Sequence, residues 1–380
     1  MKLLDSRLRG NDSKRIMTSL AQNLDDKRLI VCCGSGGVGK TTTSAALGLH
    51  AARKGKRVLV LTVDPAKRLA NALGLDQLTD RPQLISIPGK PKGSLHAAQL
   101  DVKRTFDGII ERFAPDDETR EAIMSNALYE HLSSMIAGSQ EYMAMEKLYE
   151  LAHEDDWDLI VLDTPPARNA LDFLDAPQKM VRAITDSILK FVVRPSLKAG
   201  QIGERLFGGI SKRVIKQFER FGGVQFMHEV FDLVHATVSL MDGFGERAKT
   251  VEELLKKDTT AFLIITSPRV AAITDAHRFI EKLDDYGVNL AGCIINRVHP
   301  AFAKSSSTLD RLHSEIATSG DEIALAIVDN ARRYQTLADV DTHEVKLLNG
   351  IVPHVATVPL FAEDVCDVKA LKRIAEHITA

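Results

Sequence analysis

The run Gly34-Ser-Gly-Gly-Val-Gly39-Lys40-Thr41 constrains this chain more than any other feature. It follows the apolar segment Leu29–Cys33 and opens a helical pattern over Thr42–Leu49. A glycine-rich loop in that setting lets successive backbone N–H groups curl around phosphate oxygens, and the helix N-terminus adds its dipole. Gly36, Gly37, Val38, Gly39, Lys40, Thr41 and Thr42 therefore read as a phosphate cradle. Lys40 reaches the outer phosphates and the Thr41 hydroxyl is offered to Mg²⁺.

Short apolar runs recur at 29–33, 58–62, 95–100, 158–163, 261–266, 291–296 and 353–359. Near-continuous apolarity, rather than alternation, marks strands buried on both faces. Helical patterns separate them. The fold expected is α/β, a P-loop NTPase with a mostly parallel doubly wound sheet and an inserted helical subdomain.

Two gaps are too long for one crossover helix: about 60 residues before 158 and about 100 before 261. Val181, Ile184, Ile188 and Phe191 step by three and four in the second gap, as do Leu206, Ile210, Val214, Phe218 and Phe221. The organisation expected is a disordered tail over 1–26 and a first part of the ATPase domain over 27–100. A helical insertion over 101–155, a second switch over 156–178, a helical subdomain over 179–257 and a C-terminal ATPase part over 258–380 complete it.

With 380 residues, 44% of them hydrophobic, and a net charge of −2, the chain has material for a sizeable core. It lacks the positive charge that would hold nucleic acid by bulk electrostatics. Cys32, Cys33, Cys293 and Cys366 form no C-x-x-C pair, which fits a reducing compartment and a cytoplasmic protein. No apolar run approaches the roughly 18 to 20 residues that span a bilayer. The opening residues lack the apolar core of a secretory signal, and Met17 is a plausible start.

A phosphate loop needs an acid on a neighbouring strand, and Asp163 ends the apolar run 158–163. Asp64 follows the second run and is turned at once by Pro65. A carboxylate there either orients water near the γ-phosphate or caps the helix beginning near Ala66, and both roles are compatible. Asn296 ends a late strand, with His299 where guanine readers place an acid, so adenine and ATP are favoured.

The segments GSGGVGKTTT, DPAKRLANALG, SMIAGSQEYMAM, LIVLDTPPARNALDFLDAP, IINR and VPLFAEDV, in this order, resemble the arsenite-pump ATPase (ArsA) family. That family also includes the ATPase that targets tail-anchored membrane proteins, and it is related to the MinD and ParA ATPases. The resemblance runs from Leu29 to the C-terminus. It implies a homodimer with facing ATP sites and bound Mg²⁺. It further implies Asp64 as the residue orienting water, Asp163 and Thr164 as the second switch, Asn296 as the adenine contact, and Pro359 and Leu360 in the loop over the base.

Four departures stand out. Ser35 occupies the position of the family's signature lysine, leaving Lys67, Arg68 and Arg168 as candidate cations. Asp163-Thr-Pro-Pro-Ala-Arg-Asn169 differs from the usual second switch, and Arg269 stands where an acid is common. Residues 101–260 contain no cysteine, so soft metalloid or zinc ligation is disfavoured there.

Residues 190–220 carry eight basic side chains against two acids, alternating with apolar positions. This is either a core-facing stripe with a solvated face or a surface for a hydrophobic client protein or a peripheral membrane partner. The function expected is an ATPase coupling hydrolysis to movement of the helical subdomain. The alternative is a nucleotide-gated dimeric binding module with little hydrolysis. An arsenite-pump subunit and a P-loop kinase rank below both.

Overall fold

The computed structural model describes residues 20–89, 91–114, 116–125, 129, 140–165 and 246–379. The expected stripes over 181–221, the basic stretch 190–220 and the second switch beyond Pro165, Arg168 included, lie outside them.

Eight strands form one sheet: β1 (Leu29–Cys33), β2 (Arg57–Thr62), β3 (Gln83–Ile85), β4 (Ser94–Gln99), β5 (Leu159–Asp163), β6 (Thr260–Thr266), β7 (Leu290–Val298) and β8 (Val355–Pro359). Their order is β3-β4-β2-β5-β1-β6-β7-β8. All pairings are parallel except β3 with β4. Every apolar run became a strand. β3 escaped the pattern because it is a three-residue edge strand whose Leu84 side is exposed, so no continuous apolar signal builds up.

Side chains alternate across the sheet into two cores. Leu29, Val31, Cys33, Leu59 and Leu61 pack under the helices Val102–Phe113, Gln140–His153 and Val270–Tyr286. Ile30, Cys32, Val58 and Val60 pack on the other face against Lys40–Lys54 and Val368–Thr379. Each fully buried Leu, Ile or Val contributes about 1.5–3 kcal/mol, and two-sided burial is why the strands read as unbroken apolar runs. Cys33 and Cys293 are core residues, and burial pushes both thiols up to about 12. Cys32 is raised for the same reason.

The part of the expected 1–26 tail that is described is not a tail. Leu20–Leu24 is a short helix with Leu20 and Leu24 buried, and Asn23 Nδ2 donates to the Ala291 carbonyl at 3.2 Å. Two apolar side chains one turn apart sufficed to dock it on the sheet.

The region 101–155 is helical where described, over Val102–Phe113, Asp117–Met124 and Gln140–His153. A buried ion pair joins it to the helix through 246–256: Arg247 Nε donates to Glu146 Oε2 at 2.8 Å and to Oε1 at 3.1 Å. Tyr142 hydrogen-bonds the same carboxylate, and the guanidinium stacks 4.0 Å from the Phe113 ring centroid. These contacts oppose the desolvation cost of the buried pair and favour one relative placement of these helices. Among the described residues no helix is long and apolar enough to cross a membrane.

Candidate active site

Because the strands run parallel, the carboxyl ends of β1, β2, β5, β6, β7 and β8 meet on one edge of the sheet. The central strand β1 lies between β5 and β6, where chain connections leave in opposite directions, and such a crevice is where α/β sheets bind ligands.

The loop between β1 and the Lys40–Lys54 helix needs its glycines. Gly39 has φ 96°, and a Cβ there would stand 2.2 Å from Asn296 Nδ2. Lys40 Nζ donates to the carbonyls of Gly34 at 3.0 Å and Ser35 at 3.1 Å, spanning the loop. Burial holds the Lys40 ammonium below its ordinary pKa. Asp163, Cys33 and Asp64 oppose that shift, and the charge of Arg68 adds to it.

Strand register assembles the candidate metal site. Asp163 pairs with Cys32 on one side and Thr62 on the other, directly beneath the loop. Its Oδ2 accepts hydrogen bonds from Thr41 Oγ1 at 2.7 Å and Thr62 Oγ1 at 2.9 Å. Its Oδ1 is buried with no hydrogen-bond partner. Burial pushes this carboxyl up to about 6. A buried carboxylate oxygen with an open lone pair, beside a hydroxyl, suits a hard cation such as Mg²⁺ or its water shell.

Asp64 lies two residues past β2, and both its oxygens are engaged. Oδ1 accepts from the Ala66 N–H at 2.9 Å, and Oδ2 is 2.9 Å from Arg68 Nη1. The helix cap expected of Asp64 is corrected here. The helix runs Arg68–Leu73, its N-cap is Lys67 without a side-chain bond, and Asp64 holds the preceding turn instead. Pro65 makes the chain bend before the helix can start, leaving the carboxylate one turn short of the cap.

Beyond the loop opens a cavity of about 830 Å³ lined by Ser35 to Gly39, Thr42, Asn296, Pro359 and Leu360. The residues expected around the base and the sugar-phosphate end thus share one wall. Lys40, Thr41, Asp64 and Asp163 are not among the lining residues.

Asn296 Nδ2 donates to the Val38 carbonyl at 2.9 Å. Between Asn296 and Val298 the β7–β8 register shifts, and Arg297 takes φ 63°. That bulge brings Arg297 Nη1 to 3.4 Å from the Gly37 carbonyl.

Residues 27–324 match the family described as anion-transporting ATPase. The chain belongs to that family. Its relatives bear ATPase names. It is 26% identical over 280 residues to the putative arsenical pump-driving ATPase 1 of Aquifex aeolicus, covering 72% of this chain and 64% of that protein. It is 23% identical over 368 residues to the ATPase GET3 of Malassezia globosa, covering 95% and 94%. To an ATPase ASNA1 homolog of Entamoeba histolytica it is 25% identical, covering 70% and 75%. Membership of the anion-transporting ATPase family supports the ATP-hydrolase class.

Other wall residues stood out in the sequence only as departures from a pattern. Arg269 lines the cavity at the start of the Val270–Tyr286 helix. His299 also lines it, with Nδ1 2.7 Å from Asp341 Oδ2. That pair spans 42 residues, so no short-range spacing could announce it. Arg297 is exposed, at a positive φ and a shift of strand register. The sequence marks Arg68 as a candidate cation, but not its ion pair with Asp64, which lies before the Arg68–Leu73 helix.

Proposed function

We propose that this chain is a cytoplasmic, Mg²⁺-dependent ATPase. In this reading it works as a homodimer and couples ATP binding and hydrolysis to movement of its helical subdomain over a hydrophobic client protein or a peripheral membrane partner. The observation that carries the reading is Asp163, buried beneath the phosphate loop, bonded to Thr41 and Thr62 and holding one oxygen open.

The loop amides and Lys40 bind and neutralise the phosphates, with Gly36, Gly37, Val38 and Gly39 forming the cradle and Thr42 its inner wall. Thr41 and Asp163 would hold Mg²⁺, which supplies charge neutralisation between the outer phosphates. Asp64 orients the attacking water. Asn296, Pro359 and Leu360 flank the base, and Asn296 fits adenine by offering both a donor and an acceptor.

The alternative, a nucleotide-gated binding module with little hydrolysis, draws support from two observations: Ser35 carries no charge, and both Asp64 oxygens are engaged. Steady-state ATP hydrolysis with Mg²⁺, for wild type and Asp64→Asn, separates the two when mass is followed by light scattering under the same conditions. Turnover dependent on Asp64, with an ATP-dependent dimer, is the expected result. Tight ATP binding without turnover would move the assignment to the binding module.

A further inference from the structure

Transfer of a γ-phosphoryl group to water spreads negative charge over its equatorial oxygens, and a cation placed there is a large part of the catalysis. A magnesium-bound triphosphate retains about two negative charges, and the loop's Lys40 offsets one. Ser35 offers none. Of the other cations near the loop, Arg297 and Arg269 lie in the cavity wall, while Arg68 opens the Arg68–Leu73 helix that follows β2, beside the carboxylate assigned to the water.

Arg68 holds one of the two Asp64 oxygens, and the other is fixed by a backbone N–H. A carboxylate so saturated is a poor acceptor for water until one partner leaves. The backbone bond belongs to the Pro65 turn, whereas the Arg68 side chain is 60% exposed. The Asp64 side chain is 11% exposed, but the guanidinium end of the pair stays in solvent, which screens the attraction, and ordering the long Arg68 side chain costs entropy. A guanidinium also matches a phosphate's geometry with two parallel hydrogen bonds, which a single carboxylate oxygen does not use. The charges of Asp64 and Arg68 both reach the Lys40 ammonium, so the pair sits within electrostatic range of the phosphate cradle.

We propose that Arg68 is the second cation of the phosphate site, exchanging its bond to Asp64 for the γ-phosphate and thereby releasing the carboxylate to orient the attacking water. The inference rests on the ATPase reading above. In the step itself the water oxygen bonds to the γ-phosphorus as the bond to the β–γ bridging oxygen breaks. ADP leaves with that electron pair, and the water's proton ends on the released phosphate.

The test is steady-state hydrolysis of Mg²⁺-ATP with ADP affinity measured in parallel, for wild type, Arg68→Ala, Arg68→Gln and Arg68→Lys, with Lys40→Ala as background. Arg68→Ala and Arg68→Gln should lower kcat at least about tenfold while ADP affinity stays within about twofold, since ADP lacks the group contacted. Arg68→Lys should recover part of the loss. A kcat in Arg68→Gln equal to or above wild type overturns the proposal, because Arg68 then only restrains Asp64. Equal losses of ADP affinity and kcat overturn it as well, assigning Arg68 to the fold of the turn. Wild-type turnover no higher than Lys40→Ala would overturn the ATPase reading itself and the proposal with it.

Discussion

Asn296 Nδ2 donates to the Val38 carbonyl at 2.9 Å, joining two residues 258 positions apart and tying the end of β7 to the phosphate loop. The same nitrogen lies 2.2 Å from where a Gly39 Cβ would be. Gly39→Ala should therefore cost about 1–3 kcal/mol from its positive φ plus the clash. Adding Asn296→Ala should recover the clash but not the backbone strain. Urea unfolding of the two single variants and the double variant measures this, and strict additivity would show that the clash relaxes freely.

Arg297 inverts the usual rule for glycine. At φ 63° an L side chain is strained by about 1 kcal/mol, while glycine is not. Arg297→Gly and Arg297→Ala both lose the contact to the Gly37 carbonyl, so their difference isolates the backbone. Arg297→Gly should be the more stable of the two in chemical denaturation. The opposite order would show that the bulge flattens once the side chain is gone.

Asp163 should trade stability for function. Burial lifts its carboxyl from 3.8 to about 6, so keeping it ionised at pH 7 costs about 3 kcal/mol. A raised carboxyl carries this penalty above its folded pKa and sheds it as the pH falls toward the unfolded value. Asp163→Asn, measured by urea unfolding at pH 7 without nucleotide, should be stabilised by about 1–3 kcal/mol and lose Mg²⁺-dependent turnover. A variant less stable than wild type would mean that the bonds from Thr41 and Thr62 need the charge.

His50 and His96 give the fold an acid sensitivity. Burial lowers both below the ordinary 6.5. His96 packs edge-on to Trp157, with ring centroids 4.9 Å apart. Because the folded chain disfavours their protonation, their contribution is present above pH 6.5 and is lost as the pH falls from there toward their lowered values. His96→Phe should flatten the slope of melting temperature against pH below about 6.5. An unchanged slope would assign it elsewhere.

The sequence by itself determined the elements and the chemistry of single positions. Leu29–Cys33 and 158–163 read as strands buried on both faces, and Gly34 to Thr41 as a phosphate loop between a strand and a helix. Arg68 was legible as a candidate cation following Asp64, but not as its partner. Local periodicity and backbone preference act over a few residues, and that is as far as they specify.

Only the tertiary structure decided what those positions meet. Parallel register put Thr62 beside Asp163, and sheet order brought Asn296 onto Val38. A bulge turned Arg297 to the cavity, and the long Glu322–Leu348 helix carried Asp341 to His299. These contacts join residues tens to hundreds of positions apart. They follow from how strands order and helices pack, a cooperative choice made by the whole core, so no window of sequence contains them.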